Sequence, residues 1–415
     1  MRMARIAIPV VFAALLVVAG CTPKPASEKL AHDTPATLHH ASFLSTRGDD
    51  WKLIWHDEFN GKSHDTSKWK IGLPWKGTDG EGRHHNNQYA SYIMDHNVAV
   101  EGGVLKLFTR REDATAKNLR KFEYTEGLIT TAASFRQRYG YWEARVKIPV
   151  DAGPGMWPAF WTLSEGWPPE MDICEVWTSS SKSHQGLCYR PTPGAKEKWD
   201  DTTSRAPLPR GWTTFGMEWG PGYQIYNVNG KVTKRIYADH VPENEHYILL
   251  NSGVESTSPP TADTVFPNAF EVDYVRVYER PDVVPVHNNG FEDSDGLHPW
   301  SVTGRFGRAG DETHSGEYAL RFTGTGSAAQ KIYGLRPNTT YTLSGWSKVR
   351  GGSARLGIRD FGDEGERFTP TSSPDYQQLK VEFTTGAAAT TAVIFCGVPN
   401  TAEAAFFDDI AVRAK

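Results

Sequence analysis

Cysteine is scarce in this chain, with four residues in a sequence of 415. Cys21 lies in the N-terminal segment, which leaves Cys174, Cys188 and Cys396 for the rest of the protein. An odd and widely spaced set of this kind excludes a disulfide framework. We therefore expect these three residues to be free thiols, buried like other small apolar side chains.

An excess of positive charge is also missing. The formal net charge is −4 and no long basic run occurs, which argues against a nucleic-acid partner. A sulfated glycan is disfavoured more weakly, because a few local Arg or Lys side chains can still line one cleft. Beyond the N-terminus, no apolar stretch is long enough to span a bilayer, and no helical periodicity of useful length is present.

The N-terminus has the features of an export signal. Basic residues precede an apolar run over residues 6–19, which ends in the letters VAGC. Residues 1–21 are therefore predicted to be a signal peptide, and its end resembles a bacterial lipobox in which Cys21 is lipidated. A plain signal peptide with a chance cysteine is the alternative. With residues 22–43 as a flexible tether, we expect an exported protein anchored to a bacterial membrane, at the outer membrane or cell surface or in the periplasm.

Short strand-like segments separated by turn residues fill the remainder of the chain. Residues 270–278 alternate apolar and polar side chains, which is typical of a half-buried strand, and Asn229-Gly230 is a hairpin signal. The predicted fold class is all-β. It comprises a β-jelly-roll sandwich over residues 44–280, a proline-containing linker at 281–287 and a second β-sandwich over 288–415.

Aromatic residues make up 12% of the sequence, including 14 Trp. Flat apolar faces of sugar rings stack on aromatic side chains, so this richness suits a carbohydrate-binding protein. Strands also use aromatic residues as ordinary core, and composition alone leaves both interpretations open.

Three acids in the segment PEMDICEVW at 169–177 are the strongest chemical signal. Glu170 and Asp172 share one face of a strand, and one extra residue at Ile173-Cys174, a β-bulge, would return Glu175 to that face. Crowded carboxylates repel one another and raise at least one pKa, which gives glycoside hydrolysis one ionised and one protonated group. A solvated acidic edge strand is the alternative, but the aromatic segment GMWPAFW just upstream favours the catalytic interpretation.

From residue 51 to 278 the sequence resembles glycoside hydrolase family 16, in its bulge-containing branch with laminarinases, agarases and carrageenases. The resemblance rests on blocks in the family's order: WHDEF at 55–59, YGYWEAR at 139–145, GMWPAFW at 155–161, EMDICE at 170–175, FGMEW at 215–219 and VDYVRVY at 272–278. It implies a two-sheet jelly roll with a long cleft. It also implies a retaining mechanism with Glu170 as nucleophile, Glu175 as acid/base and Asp172 tuning the pair, and no cofactor for the chemistry.

The resemblance further implies a set of sugar-binding side chains. Two adjacent histidines, His84 and His85, also invite a metal interpretation, but no third ligand has suitable spacing. The predicted substrate-binding residues are Trp157, Trp161, Asn87, Gln88, Tyr89 and Asn251.

Two further points come from the family pattern. Many laminarinases carry a histidine where this chain has Cys188, so we expect no histidine contact to Glu175. A structural Ca²⁺ bound by Glu58, the Gly102 backbone and Asp273 is also implied, with ordinary strand-end charges as the alternative.

The C-terminal part resembles carbohydrate-binding modules of families 4 and 9, on the blocks NGFED at 289–293, LRPNTTY at 335–341 and FFDDI at 406–410. Such a module would concentrate the enzyme on a polymer, although related sandwiches also serve as spacers.

We therefore expect a monomeric endo-hydrolase of a polysaccharide, with β-1,3- or β-1,3/1,4-glucan as the best guess. Hydrolysis of a red-algal galactan (agarose, porphyran or carrageenan), transglycosylation, and a non-catalytic glycan-binding lipoprotein are the alternatives. The membrane enters only through the anchor at Cys21.

Overall fold

The computed structural model describes residue 43 and residues 51–204, 208–280, 283–362 and 365–415. The predicted signal peptide, the lipobox Cys21 and all of the tether except residue 43 lie outside the described residues. Within the described part of the chain, no helix is both long and apolar enough to cross a membrane.

The described residues form strands joined by turns, with two short 3-10 helices at Asp95–Asn97 and Val150–Ala152. The N-terminal part contains β1 (Lys52–Asp57), β2 (Lys70–Ile71), β3 (Ser91–Ile93), β4 (Val98–Glu101), β5 (Val104–Thr115), β6 (Lys121–Glu126), β7 (Leu128–Thr130), β8 (Gly140–Lys147), β9 (Met156–Leu163), β10 (Glu170–Trp177), β11 (Lys182–Tyr189), β12 (Lys198–Ser204), β13 (Trp212–Gly220), β14 (Tyr223–Val228), β15 (Lys231–Tyr237), β16 (Tyr247–Val254) and β17 (Asn268–Glu279). The C-terminal part contains β18 (Ser301–Ala309), β19 (Ala319–Tyr333), β20 (Thr340–Arg350), β21 (Ala354–Arg359), β22 (Arg367–Thr371), β23 (Gln377–Thr384), β24 (Thr391–Val398) and β25 (Ala404–Ala414).

Two sheets build the N-terminal sandwich. One has the order β15-β14-β13-β8-β17-β5-β6-β3, with β1 beside β17 and β4 beside β5. The other has the order β12-β11-β10-β9-β16-β7-β2. Their facing sides share one core, to which Trp142 and Met217 contribute from the first sheet and Phe160, Met171 and Leu250 from the second. Burial of these apolar faces is the main source of stability of such a sandwich.

The alternating segment on β17 forms a strand, as predicted, but its alternation is interrupted. Phe270 and Val272 are buried in the core, and the next buried residue is Val275. The pairing with β8 shifts register between Val272 and Tyr274, so one extra residue restores the apolar face to the core.

The C-terminal part forms a third sheet with the order β22-β21-β24-β19-β25-β20-β23, and β18 lies beside β19. Its core is separate from that of the N-terminal sandwich. Two residues of the predicted linker, Val284 and Val286, pack against this second core, and Val284 also forms a bridge with Val412. The predicted all-β class with two β domains is confirmed.

Polar contacts connect the two β domains. The Asp239 carboxylate accepts hydrogen bonds from Lys331 Nζ at 2.6 Å and from the Tyr333 hydroxyl at 2.9 Å. Arg235 forms ion pairs with Asp293 at 3.3 Å and Asp295 at 3.2 Å. In agreement with these contacts, the described residues from 43 onwards belong to one compact unit.

Candidate active site

A β-bulge in β10 places three carboxylates on one face of the seven-stranded sheet. Along β11, Asp172 pairs with Gly186 and Glu175 pairs with His184, so three steps on β10 match two steps on its neighbour. The bulge residues Ile173 and Cys174 are both buried in the core. Two apolar anchors therefore turn Glu175 back to the side of Glu170 and Asp172, as the spacing predicts.

These carboxylates lie in an open cleft of about 940 Å³. Asp172 is 2% exposed, whereas Glu170 and Glu175 are partly exposed to the cleft. An internal segment of a polymer can therefore reach the two glutamates directly, while Asp172 lies deeper between them.

Each glutamate accepts one hydrogen bond from an indole N–H. Trp167 Nε1 donates to Glu170 Oε2 at 2.8 Å, and Trp157 Nε1 donates to Glu175 Oε1 at 2.7 Å. Burial raises the pKa of Glu170 to about 7, against a smaller lowering by the Trp167 hydrogen bond. Burial and then the charge of Glu170 raise the pKa of Glu175 to about 8, against a lowering by Trp157.

Asp172 has the environment least suited to a negative charge. Burial, followed by the charges of Glu170, Glu175 and Asp201, raises the pKa of Asp172 well above its ordinary value. Because mutual repulsion disfavours three neighbouring anions, the cluster holds at least one proton at neutral pH.

A histidine that sequence reasoning missed lies beside the acids. His184 Nδ1 is 3.9 Å from Glu175 Oε2 and 3.5 Å from Asp201 Oδ2, and its Nε2 is 4.0 Å from Asp172 Oδ2. The expectation that no histidine approaches Glu175 is therefore wrong. Cys188 pairs with Glu170 at the other end of the strand, and the histidine four residues earlier occupies the place opposite Glu175.

The register of the β10–β11 hairpin explains this outcome. Trp177 pairs with Lys182 across a turn that contains three consecutive serines, at 179–181. Counting back from that turn places His184 opposite Glu175. The serine run was the available signal for this pairing.

Aromatic rings follow one another along the cleft. His85 stacks on Tyr89 with centroids 4.3 Å apart, and Tyr89 stacks on Trp157 at 4.4 Å. Further ring contacts join Trp157 to Trp177, Trp177 to His184 and His184 to Trp199. His85, Tyr89 and His184 are buried within this row, so the partly exposed rings of Trp157, Trp177 and Trp199 are the ones that a sugar can contact.

The predicted substrate-binding residues divide into two groups. Trp157, Trp161, Gln88 and Tyr89 line the cleft. Asn87 and Asn251 do not line it, and the prediction that they bind substrate is not supported by their positions.

Other contacts account for these two asparagines. The Asn251 side chain is fully buried, accepts a hydrogen bond from Trp161 Nε1 at 2.9 Å and donates to the Trp157 carbonyl at 3.2 Å. Asn251 therefore supports two cleft tryptophans from below. The side-chain oxygen of Asn87 accepts a hydrogen bond from Arg120 at 2.8 Å.

The residues predicted to bind Ca²⁺ do not fit the ion. The Glu58 carboxylate forms a two-pronged ion pair with Arg276, with both distances at 2.9 Å, and Asp273 pairs with Arg145 at 2.6 Å. Both predicted carboxylate ligands are thus neutralised by guanidinium groups, which a cation would have to displace, and the backbone of Gly102 alone would not hold the ion.

The three described cysteines are free and buried, as predicted. Burial raises the pKa of the Cys188 thiol to about 12, so this residue is not an activated nucleophile.

The ionisable groups that line the cleft are mainly carboxylates, and burial raises the pKa of four of them, Glu170, Asp172, Glu175 and Glu255. The charged lining consists of one arginine and six carboxylates, namely Arg136 and Glu165, Glu170, Asp172, Glu175, Asp201 and Glu255. Arg136 forms an ion pair with Glu165 at 2.6 Å, so its charge is already neutralised. An anionic sugar near the reacting carboxylates would meet repulsion without a free basic partner in this lining.

Comparisons with known proteins agree with this geometry. Residues 85–266 match the family model for glycosyl hydrolases family 16, and residues 285–402 match a carbohydrate-binding domain model. The two domains follow one another in the order predicted from the sequence, so that prediction and the assignment as a glycoside hydrolase are confirmed.

The individual proteins that resemble this chain are about a quarter identical to it over the residues that align. A keratan-sulfate endo-1,4-beta-galactosidase from Sphingobacterium multivorum is 27% identical over 403 residues, which cover 90% of this chain and 89% of the relative. The endo-1,3-1,4-beta-glycanase ExsH from Rhizobium meliloti (strain 1021) is 26% identical over 61% of this chain and 55% of its own length. A solved structure from work on endo-acting O-glycanases, which prominent members of the human gut microbiota express to initiate mucin breakdown, has 27% identity and a TM-score of 0.50. It covers 55% of this chain and 91% of the solved chain.

Proposed function

For a chain that carries a glycosyl hydrolase family 16 domain followed by a carbohydrate-binding domain, we propose hydrolysis of internal β-glycosidic bonds with retention of configuration. The observation that carries the proposal is the bulge in β10, which brings Glu170, Asp172 and Glu175 to one face inside an open cleft. The reaction uses the protein's own carboxylates and needs no cofactor.

In the first step, the Glu170 carboxylate attacks the anomeric carbon while Glu175 gives its proton to the departing glycosidic oxygen. The products are a glycosyl ester on Glu170 and the released half of the polymer. In the second step, Glu175 takes a proton from water, whose oxygen attacks the anomeric carbon and releases Glu170 as a carboxylate.

The electrostatics support this division of roles. The charge of Glu170 raises the pKa of Glu175, so an ionised Glu170 favours the protonated form of Glu175, as a nucleophile and an acid require. Burial and the charges of Glu170 and Glu175 raise the pKa of Asp172, which favours its neutral form between them and is consistent with the proposed tuning role.

Endo action follows from the shape of the site. The row of aromatic rings extends to both sides of Trp157, whose indole N–H donates a hydrogen bond to Glu175. Sugars can therefore bind on both sides of the cleaved bond, as an internal cut requires.

The acidic lining supports an uncharged stretch of glycan as the substrate. We favour β-1,4-galactosidic bonds in a chain of alternating galactose and N-acetylglucosamine, without sulfate at the cleaved sugar. The supporting observation is that the keratan-sulfate endo-galactosidase matches this chain across both domains. The β-1,3- or β-1,3/1,4-glucan expected from the sequence is the second candidate, supported by the likeness to the endo-1,3-1,4-beta-glycanase.

The remaining parts of the proposal concern location and assembly. Export and anchoring through Cys21 rest on the sequence pattern, and a monomeric state is part of the proposal. Ca²⁺ has no part in the proposal, because the arginines described above occupy the carboxylates of Glu58 and Asp273.

The test is product release from a panel of polymers: a keratan-type chain before and after desulfation, laminarin, lichenan, agarose and κ-carrageenan. The wild type should release oligosaccharides from the desulfated keratan-type chain, and Glu170→Gln should release none while still binding it. Proton NMR of the first products should show the β anomer. A first-formed α anomer would refute retention, and full activity of Glu170→Gln would refute the assigned nucleophile.

A further inference from the structure

Two buried polar atoms face each other across a gap beneath the cleft. His184 Nε2 and Asp172 Oδ2 are 4.0 Å apart, and neither has a hydrogen-bond partner. The two residues are 7% and 2% exposed, respectively. Buried polar atoms without partners cost free energy, so this pair is suited to an occupant that satisfies both.

A third ligand is already in position. One donor atom each from Asp172, Glu175 and His184 lie within 4.8 Å of one another, and this is the one such group of three His, Cys, Asp or Glu side chains in the described part of the chain. Asp201 adds a fourth carboxylate 3.5 Å from the other ring nitrogen of His184. All of these residues line the cleft, so an ion can enter from solvent.

The charge around the group favours a cation. Its neighbours are carboxylates, and Arg136, the single basic side chain other than histidine in the cleft lining, is held by Glu165. One imidazole nitrogen with carboxylate oxygens is a donor set that suits zinc and related divalent metals.

We propose that Asp172, Glu175 and His184 bind a divalent cation of the zinc class, and that this binding inhibits the enzyme. Zinc lies about 2.0–2.2 Å from nitrogen and oxygen ligands, so tetrahedral ligands are about 3.4 Å apart. The 4.0 Å gap between His184 and Asp172 therefore needs to close by roughly half an ångström. All three donor atoms, which lie within 4.8 Å of one another, have to approach to this spacing when the ion binds. The inhibition part rests on the proposed function, because a Glu175 oxygen bound to metal cannot deliver a proton to the leaving group.

Binding is tested first, without any substrate. Isothermal titration of the full-length protein with ZnCl₂, in a buffer without chelators or phosphate, should show one site. His184→Ala and the nearly isosteric Asp172→Asn should weaken that binding at least tenfold. His96→Ala, which removes an exposed histidine paired with Glu112, is the matched control and should leave it unchanged. Absence of a binding site in the wild type, or unchanged zinc affinity in folded His184→Ala and Asp172→Asn, overturns the proposal.

Inhibition is tested second, on the polymer that the wild type cleaves. ZnCl₂ should lower the rate over the concentration range in which it binds, and excess EDTA should restore it. Zinc binding that leaves hydrolysis unchanged overturns the inhibitory part. Because titration needs no activity, a protein that cleaves none of the polymers in the panel would refute the proposed function and leave the binding result decisive for the metal site.

Discussion

The indole N–H of Trp157 donates a 2.7 Å hydrogen bond to Oε1 of Glu175. Trp157 is held in place by Tyr89, whose ring lies parallel to it at 4.4 Å. The bond favours the ionised carboxylate and therefore lowers the pKa of Glu175, in opposition to the raising effect of burial. The stacking residue of the cleft thus also adjusts the proton affinity of the proposed acid.

Trp157→Phe should shift the basic limb of the pH–rate profile to higher pH. Loss of the N–H removes a lowering influence, so the pKa of Glu175 rises above about 8 and the acid keeps its proton to higher pH. A hydrogen bond to a charged group contributes about 1.5 kcal/mol or more, which corresponds to about one pH unit. The measurement is kcat/KM against pH. Trp161→Phe is the control, because its N–H serves Asn251 and not a carboxylate; an equal shift there would contradict the assignment.

Trp167→Phe should instead shift the acidic limb of the pH–rate profile to higher pH. The Trp167 N–H lowers the pKa of Glu170, so its removal raises that pKa above about 7 and leaves less ionised nucleophile at low pH. Activity at pH 6 should fall several-fold, with little change at pH 8. The same profile measures both tryptophan variants, and movement of the basic limb alone in Trp167→Phe would reverse the roles of the two glutamates.

Asp201→Asn should shift the basic limb of the pH–rate profile to lower pH, in the direction opposite to the shift expected for Trp157→Phe. The Asp201 charge raises the pKa of Glu175, so neutralising it makes the acid lose its proton at lower pH. Asp200→Asn is the matched control, because the adjacent Asp200 pairs with Lys234 at 2.7 Å and does not face the cleft acids. If both asparagine variants shift the profile equally, the effect is a general one of charge and the specific role of Asp201 is refuted.

Glu126→Gln should stabilise the fold at alkaline pH. Burial raises the pKa of Glu126 from 4.5 to about 8, and the side chain is fully buried. A raised carboxyl pKa means that the wild type is favoured below pH 4.5 and loses stability as pH rises towards 8. The difference in unfolding free energy between wild type and variant should change by about 3–4 kcal/mol between pH 5 and pH 8. Thermal unfolding at both pH values measures it, with exposed Glu123→Gln on the same strand as control. A constant difference between wild type and Glu126→Gln would contradict the prediction.

Gly186→Ala should disturb the site through β12. A Cβ at Gly186 would lie 2.5 Å from Cβ and 2.7 Å from Cα of Asp201, so the strand must shift. We expect a loss of about 1–3 kcal/mol in the free energy of unfolding. The basic limb of the pH–rate profile should also shift to lower pH, as in Asp201→Asn. Gly307→Ala, where a Cβ meets no atom within 4 Å, should change neither property. If the pH profile of Gly186→Ala were unshifted, the position of Asp201 would have no effect on the pKa of Glu175, contrary to the prediction.

The acids and their bulge were predictable because both follow from local spacing. The five-residue separation of Glu170 and Glu175 is incompatible with a common strand face unless one residue is extra. The two-layer fold was predictable for a similar reason, since strand periodicity and turn residues are local signals.

His184 and Asp201 were not predictable from spacing alone. His184 reaches Glu175 through the register of β10 and β11, and Asp201 arrives on a third strand, so both depend on pairing between segments. Asn251 was predicted from the family resemblance alone, and in the structure its side chain is bonded to Trp157 and Trp161 beneath the cleft, a position that also depends on strand pairing. The arginines that neutralise Glu58 and Asp273 likewise come from other strands.

The bulge in β10 has a consequence for how this enzyme can diversify. Ile173 and Cys174 are core residues, so a change that repositions the reacting glutamates must also repack the interior and will be selected against through loss of stability. Trp75 and Trp199 are exposed residues of the cleft lining, so substituting them leaves the core packing intact. Substitutions at these two positions can therefore change the sugar chain that is bound while the reacting glutamates keep their places, so substrate preference and reaction type can change independently.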